Sequence, residues 1–403
     1  MSFSLKKWLS STFGVFSGKT AKPVKSRQQS PRTDRLLVDA IRMAELPSPV
    51  PAEEPRAAFV LERLNNCGLL PEVTEAGDIQ VRLHSPYAGD ESPILLFTDL
   101  GSKRWHPSES LARLDAENAV GAGLSDSLGC AALLSIAEQW QERILEDENS
   151  HEIFRRDLLL LFTAKSLDDP NIGFEPILHS QRDRPCAAIG VRGLSLDRII
   201  HSTGSYRLKI SISAPPPARG EEEPPANNKV TETLIDTART LLGVVWDTEG
   251  KTQMFIRRLE AFTVYALTPQ EGFLELEIES SEAPLLEMAM NAVKATADKI
   301  GVTAGLKTET TLLSFIPPGN PERSKVLYDI LRKLLKEQHV KAHEETAADP
   351  ASFFSGNGIP ALSLGIALGR EGAKRDIINI NSVDEGRRVL RRLIIETGAR
   401  NDL

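Results

Sequence analysis

Two patterns in the chain predict an α/β protein with a smaller α+β domain inserted into it. Four short runs, Ile94–Phe97, Leu158–Phe162, Ala187–Val191 and Ala361–Leu364, show no polar alternation. Such runs mark strands buried on both faces, as in a parallel sheet covered by helices. Between the third and fourth runs, residues 206–316 carry the order βαββαβ, the split ferredoxin-like motif. Prolines bracket that stretch, with Pro215-Pro216-Pro217 after its first strand and Pro317-Pro318 after its last. The expected domains are a basic N-terminal arm (1–33), an α/β domain formed by 34–205 and 317–403, and the insert at 206–316.

The elements follow in order. Leu36, Leu37, Ala40, Ile41 and Ala44 recur at helical spacing until Pro47, Pro49 and Pro51 end the helix. A second helix starts near Pro55, a good first-turn residue, and stops at Gly68. Short strands are expected near 72–74 and 79–83, before the first buried strand. Helices near 127–146, 323–337 and 383–397 supply the layers that cover the sheet. In the insert, Tyr206, Leu208, Ile210 and Ile212 alternate as in a half-exposed strand. A helix at 228–243, strands at 254–267 and 272–280, a helix from Pro284 to Gly301 and a strand at 302–315 complete it.

Composition narrows the class. Of 403 residues, 41% are apolar and 26% charged, near the average for globular proteins. Aromatics are only 5%, and no run reaches the ~18 apolar residues a membrane span needs. Wholesale disorder, fibrous structure and an integral membrane protein are excluded. The net charge of −8 argues against nucleic acid as a partner. Cys67, Cys130 and Cys186 are widely spaced and odd in number, so they form no disulfide framework and fit a reducing, cytoplasmic location.

The charge is uneven. Residues 1–36 hold eight Lys and Arg against Asp34 alone. Within them Leu5, Trp8, Leu9, Phe13 and Phe16 share a helical face opposite Lys6, Lys7, Ser10 and Ser11. Such a helix suits an anionic membrane surface; a solvated tail is the alternative, and 17–33 read as a linker. A secretory signal fits poorly, because Ser10, Ser11 and Thr12 break the apolar stretch and no A-x-A site follows.

Three segments carry a resemblance. GAGLSDSLGCAALLSIAEQW (121–140) resembles a "G-x-G-x-x-D-x-K-G-x-A-A-L-L" segment, and DPASFFSGNGIPALSLG (349–365) resembles "D-a-x-x-f-x-x-x-G-I-P-a-x-x-l-G". SPVPAEEPRAAFVLERLNNCGL resembles the opening helix that precedes them, with Asp78–Val81 as the strand after it. Together they make the chain, over 34–400, similar to the co-catalytic zinc peptidases that include peptidase T, carboxypeptidase G and acetylornithine deacetylase. The resemblance implies a three-layer α/β domain with the insert as a lid or dimerisation domain. It also implies a pair of zinc ions, held by His and carboxylate ligands, that sharpen a bridging water beside a free Glu.

Carried over position by position, most of that set is missing. The H-x-D element falls on Asp99-Leu100-Gly101, so Asp99 stands at the His position and Gly101 at the Asp position. The bridging carboxylate is matched by Asp126. The adjacent Glu pair falls on Ala164-Lys165-Ser166-Leu167, and only a two-residue slip brings in Asp168 and Asp169, which are shorter and precede Pro170. The next ligand falls on Arg192-Gly193, and the segment 372–376 where the last His belongs has none. Ala214-Pro215-Pro216-Pro217 occupies the place of the His that the insert lends a neighbouring site.

The same residues have plainer readings. Asp126 suits a helix N-terminus cap or an ion pair, with Arg192, Lys374 and Arg375 as cations that repel metal and pair with the leftover carboxylate. Asp168-Asp169 suits a solvated turn. His339 and His343, followed by Glu344 and Glu345, suggest a metal pair on a helix, but they follow a helix; in a strand they lie about 13 Å apart and read as surface residues. His84, His106 and His201 have no ligand partner in sequence. No nucleophile elbow, Walker loop or dinucleotide fingerprint appears.

The expected function is a zinc-peptidase-like protein without di-zinc hydrolysis that acts by binding, scaffolding or regulation, with no cofactor. A homodimer through the insert and an anionic membrane surface met by the arm are its expected partners, with a peptide-like ligand of unknown identity. The alternative is an active peptide or amide hydrolase holding zinc through rearranged ligands, with Asp99, Asp126, Asp168 and Asp169 as candidates.

Overall fold

The structure, a computed structural model, describes residues 31–49, 51–89, 91–102, 111–146, 154–166, 171–215, 228–261 and 268–400. The amphipathic arm and the Asp168-Asp169 pair lie outside the described residues. The chain divides into two compact units, one within Met1–Ile200, Pro321–Glu345 and Gly358–Leu403, the other within His201–Asn320 and Thr346–Asn357.

The larger unit opens with helices α1 (Pro31–Glu45) and α2 (Glu54–Asn66), and Gly68 leaves α2 at φ +75°. Helix α1 starts inside the stretch read as a linker, with Thr33 already buried and its hydroxyl donating to Asp384. The central sheet has the order β1-β2-β6-β3-β7-β13. Its strands are β1 (Glu72–Val73), β2 (Ile79–Leu83), β3 (Ile94–Asp99), β6 (Leu158–Thr163), β7 (Ala187–Leu194) and β13 (Ala361–Ala367). The four apolar runs are its parallel strands. β6-β3, β3-β7 and β7-β13 pair in parallel, whereas β1 and β2 pair antiparallel. Every residue of β6 and β13 is buried, which is why neither shows alternation.

Helix α3 (Leu124–Glu146) packs on β7 and β3, and α1 packs on α3. Helices α7 (Pro321–Glu337) and α9 (Ile380–Gly398) pack on β13 and on each other. The short helix α4 (Asn171–His179) carries Phe174, edge-on to Phe97 at 5.0 Å. The start of α3 lies so near β7 that a Cβ on Gly193 would stand 1.8 Å from the Ser125 carbonyl oxygen. A second, four-stranded sheet orders β14 (Gly369–Arg370), β15 (Asp376–Asn379), β5 (Asn118–Gly121) and β4 (Arg113–Leu114). The sequence pattern did not announce it, because strands of two to four residues carry no periodicity.

The smaller unit holds β8 (Arg198–Ser213, which begins in the larger unit), α5 (Lys229–Leu242), β9 (Thr252–Ala261), β10 (Glu271–Ser280), α6 (Ala283–Ala304) and β11 (Lys307–Ile316). The sheet order β11-β8-β10-β9 is antiparallel and ferredoxin-like, and β12 (His343–Ala348) pairs with β8 off that path. Leu208, Ile210, Ile212, Leu274, Leu276 and Ile278 face α5 and α6 in one core. Helix α6 runs past Gly301 to a left-handed Gly305 at φ +68°. Gly301 is a packing glycine, since a Cβ there would lie 2.2 Å from Thr308 Cγ2, and β11 accordingly starts at Lys307 instead of 302. The short helix α8 (Ala351–Gly356) belongs to the same unit.

Candidate functional site

In an open α/β sheet, ligands bind beyond the carboxyl ends of the strands where the strand order reverses. Here that point is β3, with β6 on one side and β7 on the other. Asp99 is the last residue of β3 and pairs with Thr163 of β6. Its Oδ1 accepts from Thr163 Oγ1 at 2.8 Å and from Ser166 Oγ at 2.6 Å. The Thr163 hydroxyl also lies 3.2 Å from the Thr98 carbonyl, but with one proton it donates along the shorter contact. Two neutral hydroxyls therefore share one oxygen of this carboxylate.

Asp126 lies in the first turn of α3, and its Oδ2 accepts from Ser102 Oγ at 3.1 Å. At this helix start the Ser125 N–H donates to Oδ2 of fully buried Asp376 at 3.1 Å. A carboxylate at a helix N-terminus satisfies free N–H groups and complements the dipole. Asp376 sits 251 residues away in sequence, at the start of β15, so local pattern could not reveal it.

Beneath these carboxylates lies Arg56 of α2, fully buried. Its Nε donates to the Met43 carbonyl at 3.0 Å, Nη1 to the Leu100 carbonyl at 3.1 Å, and Nη2 to Ser127 Oγ at 2.8 Å and the Gly123 carbonyl at 3.4 Å. Burial lowers the guanidinium's pKa, opposed by electrostatic interaction with Cys130, once that thiol ionises, and with Asp126. Arg56, a cation that the sequence reading did not consider, also acts electrostatically on Asp126. Arg192 is half-buried at the end of β7 and Lys374 is exposed.

Cys130 ties the group together. Its Sγ donates to the Asp99 carbonyl at 3.1 Å, and burial pushes the thiol up to about 12. Arg56, Asp99 and Asp126 all act on it electrostatically, so the structure does bring the two candidate carboxylates into one neighbourhood. With that shift the sulfur stays protonated near neutral pH and offers no thiolate.

The segment after β6 is pinned by two further buried carboxylates that sequence reading missed. Glu53 Oε1 accepts the Lys165 N–H at 3.0 Å, and Asp78 Oδ1 accepts the Ala164 N–H at 2.8 Å. Burial raises the Asp78 pKa, opposed by the Ala164 N–H, the Thr74 hydroxyl and the charge of Lys165. Lys165 itself is left-handed, at φ +56°. An L-residue is strained there, and such strain collects at functional sites.

This donor set does not fit a zinc pair. Residues 101, 164–165 and 192, where the resemblance places ligands, are Gly, Ala-Lys and Arg. Among the described residues no group of three His, Cys, Asp or Glu is placed to hold a metal ion. His84 pairs with Asp157 at 3.0 Å, His339 leaves α7, and His343 opens β12.

Strand order, insert and site position define the class: the chain has the fold of the M20-type peptidases and amidohydrolases. It is similar to a tripeptidase from Staphylococcus aureus at a TM-score of 0.66 and 13% identity, covering 91% of this chain and 99% of that one. Aminopeptidase PepT from Bacillus cereus superposes at 0.65 with 12% identity over 91% and 99% of the two chains. The YXEP protein of Bacillus subtilis, described as a dinuclear metal-binding peptidase of the M20 family, superposes at 0.55 with 11% identity over 91% and 98%. No family model and no curated protein matches the chain in sequence.

Proposed function

We propose that this is a peptidase-fold protein that works by binding or regulation and does not perform di-zinc hydrolysis. The observation that carries the reading is the setting of the two remaining carboxylates: Asp99 Oδ1 accepts from Thr163 and Ser166, Asp126 Oδ2 accepts from Ser102, and the buried Arg56 cation acts on Asp126. A co-catalytic pair needs several ligands converging on each ion, and a permanent guanidinium beside the bridging position opposes cation binding. In this reading the strand-end site takes a peptide-like ligand, by analogy with the fold's peptidases, and holds it through hydroxyls and charges with no metal. The proposed protein is cytoplasmic, dimerises through its smaller unit, and meets an anionic membrane with its basic arm. Among the described residues no helix is long and apolar enough to cross a membrane.

The test is turnover. Full-length protein incubated with di- and tripeptides and N-acyl amino acids, with and without added zinc, should show no hydrolysis above background. Asp126→Asn should change nothing in that assay and leave the protein folded. Hydrolysis abolished by Asp126→Asn would make the rearranged-ligand hydrolase the correct account.

A further inference from the structure

A cavity of about 450 Å³ opens in the larger unit where helix α7 ends and β12 begins. Its size falls in the range of small-molecule sites, about 300–1,000 Å³. Ile199, Leu335, Val340 and Ala342 give it an apolar floor. Lys336, Lys341 and the imidazole of His339 rim it, all exposed. Arg332 and Glu344 also line the cavity and pair at 2.8 Å, with Arg332 shared by Asp329 at 2.8 Å. No side-chain partner is recorded for Lys336, His339 or Lys341 among the described residues, whereas Lys333, Glu337 and Arg392 nearby are all ion-paired.

The backbone at the rim is strained as well. Helix α7 ends in a Schellman motif, with the His339 N–H donating to the Lys336 carbonyl at 3.0 Å and the Val340 N–H to the Leu335 carbonyl at 2.9 Å. The left-handed position of that motif belongs to glycine, yet histidine holds it at φ +58°. The imidazole is thus kept at the lip of the cavity against the local backbone preference, a pattern that points to use. The carbonyls at the end of α7 are partly negative and do not attract an anion. Anion recognition here falls to the three side chains.

We infer that this cavity binds a small amphipathic monocarboxylate, its chain on the apolar floor and its carboxylate among Lys336, His339 and Lys341. The site involves none of the strand-end residues, so it does not depend on the reading of function above.

Decanoate is the probe, titrated calorimetrically into the full-length protein below its micellar range, with 1-decanol as the uncharged chain. The expected result is saturable binding with a Kd of about 0.1–1 mM, and weaker binding of decanol. A Lys336→Glu, Lys341→Glu double variant should bind decanoate at least about tenfold more weakly, because two attractive charges become repulsive. His339→Gly should weaken binding while raising the thermal midpoint by roughly 1–3 °C, since glycine relieves the left-handed strain. That opposite movement separates a ligand role from a structural one. Absence of saturable binding, equal affinity for decanol, or unchanged decanoate affinity in the double variant or in His339→Gly would overturn the assignment.

Discussion

Arg56 joins stretches of chain that are far apart, the end of α1, the turn after β3 and the start of α3, through partners 13, 44, 67 and 71 residues away. Removing the guanidinium would strand those acceptors and take away a positive charge that acts on Asp126. Arg56→Met should therefore cost about 3–5 kcal/mol in urea unfolding, the usual penalty for breaking a buried charged network. Arg56→Lys should recover less than half, because one ammonium cannot match a planar fork of donors. A loss under about 1 kcal/mol for Arg56→Met would contradict the role assigned to it. None of this was legible in the sequence, where Arg56 follows two acids and a proline at a helix start and reads as a solvated charge. Asp99 and Asp126 were legible as positions, but their hydroxyl partners were not. Ser166 looked like part of a missing Glu pair until the fold placed its Oγ on Asp99.

At the level of elements, the four parallel strands could be read because burial on both faces leaves an uninterrupted apolar run. The smaller unit was legible through the opposite signal, the alternation of Tyr206, Leu208, Ile210 and Ile212 along β8. Helix ends were harder. Gly301 and Gly305 look alike in sequence, and only the approach of Thr308 shows that the first serves packing and the second the turn. Charge placement on β10 carries its own prediction. Burial alone would raise the Glu277 carboxyl, but ion pairs with Arg207 at 3.1 Å and Arg257 at 2.6 Å outweigh it and hold the pKa below the ordinary value. A depressed carboxylate adds stability above its unfolded pKa and loses it as pH falls through the folded value. The smaller unit should thus weaken below about pH 4. Glu277→Gln should lower stability near neutrality by about 1–3 kcal/mol and flatten that acid dependence. Thermal unfolding followed from pH 7 to 3 checks both, and equal slopes in the two proteins would refute the pairing.

For the whole molecule, the edges of the smaller sheet matter first. Strand β11 is an edge of its main path and exposes Leu312 and Leu313, 51% and 44% accessible. An apolar edge strand is a natural partner surface for a second copy. Light scattering at micromolar concentration should give the dimer mass, and a monomer would remove assembly from the proposal. The larger question is chemical: a fold shared with peptidases has kept its strand-end geometry while its ligand positions hold glycine, lysine and arginine. Zinc content measured by elemental analysis after dialysis tests that most directly, together with a thermal scan in chelator. The account predicts less than about half an equivalent per chain and no shift in midpoint, because a metal bound only to the native state would stabilise it measurably. Two tightly held zinc ions per chain, with a midpoint that falls when chelator is added, would contradict it.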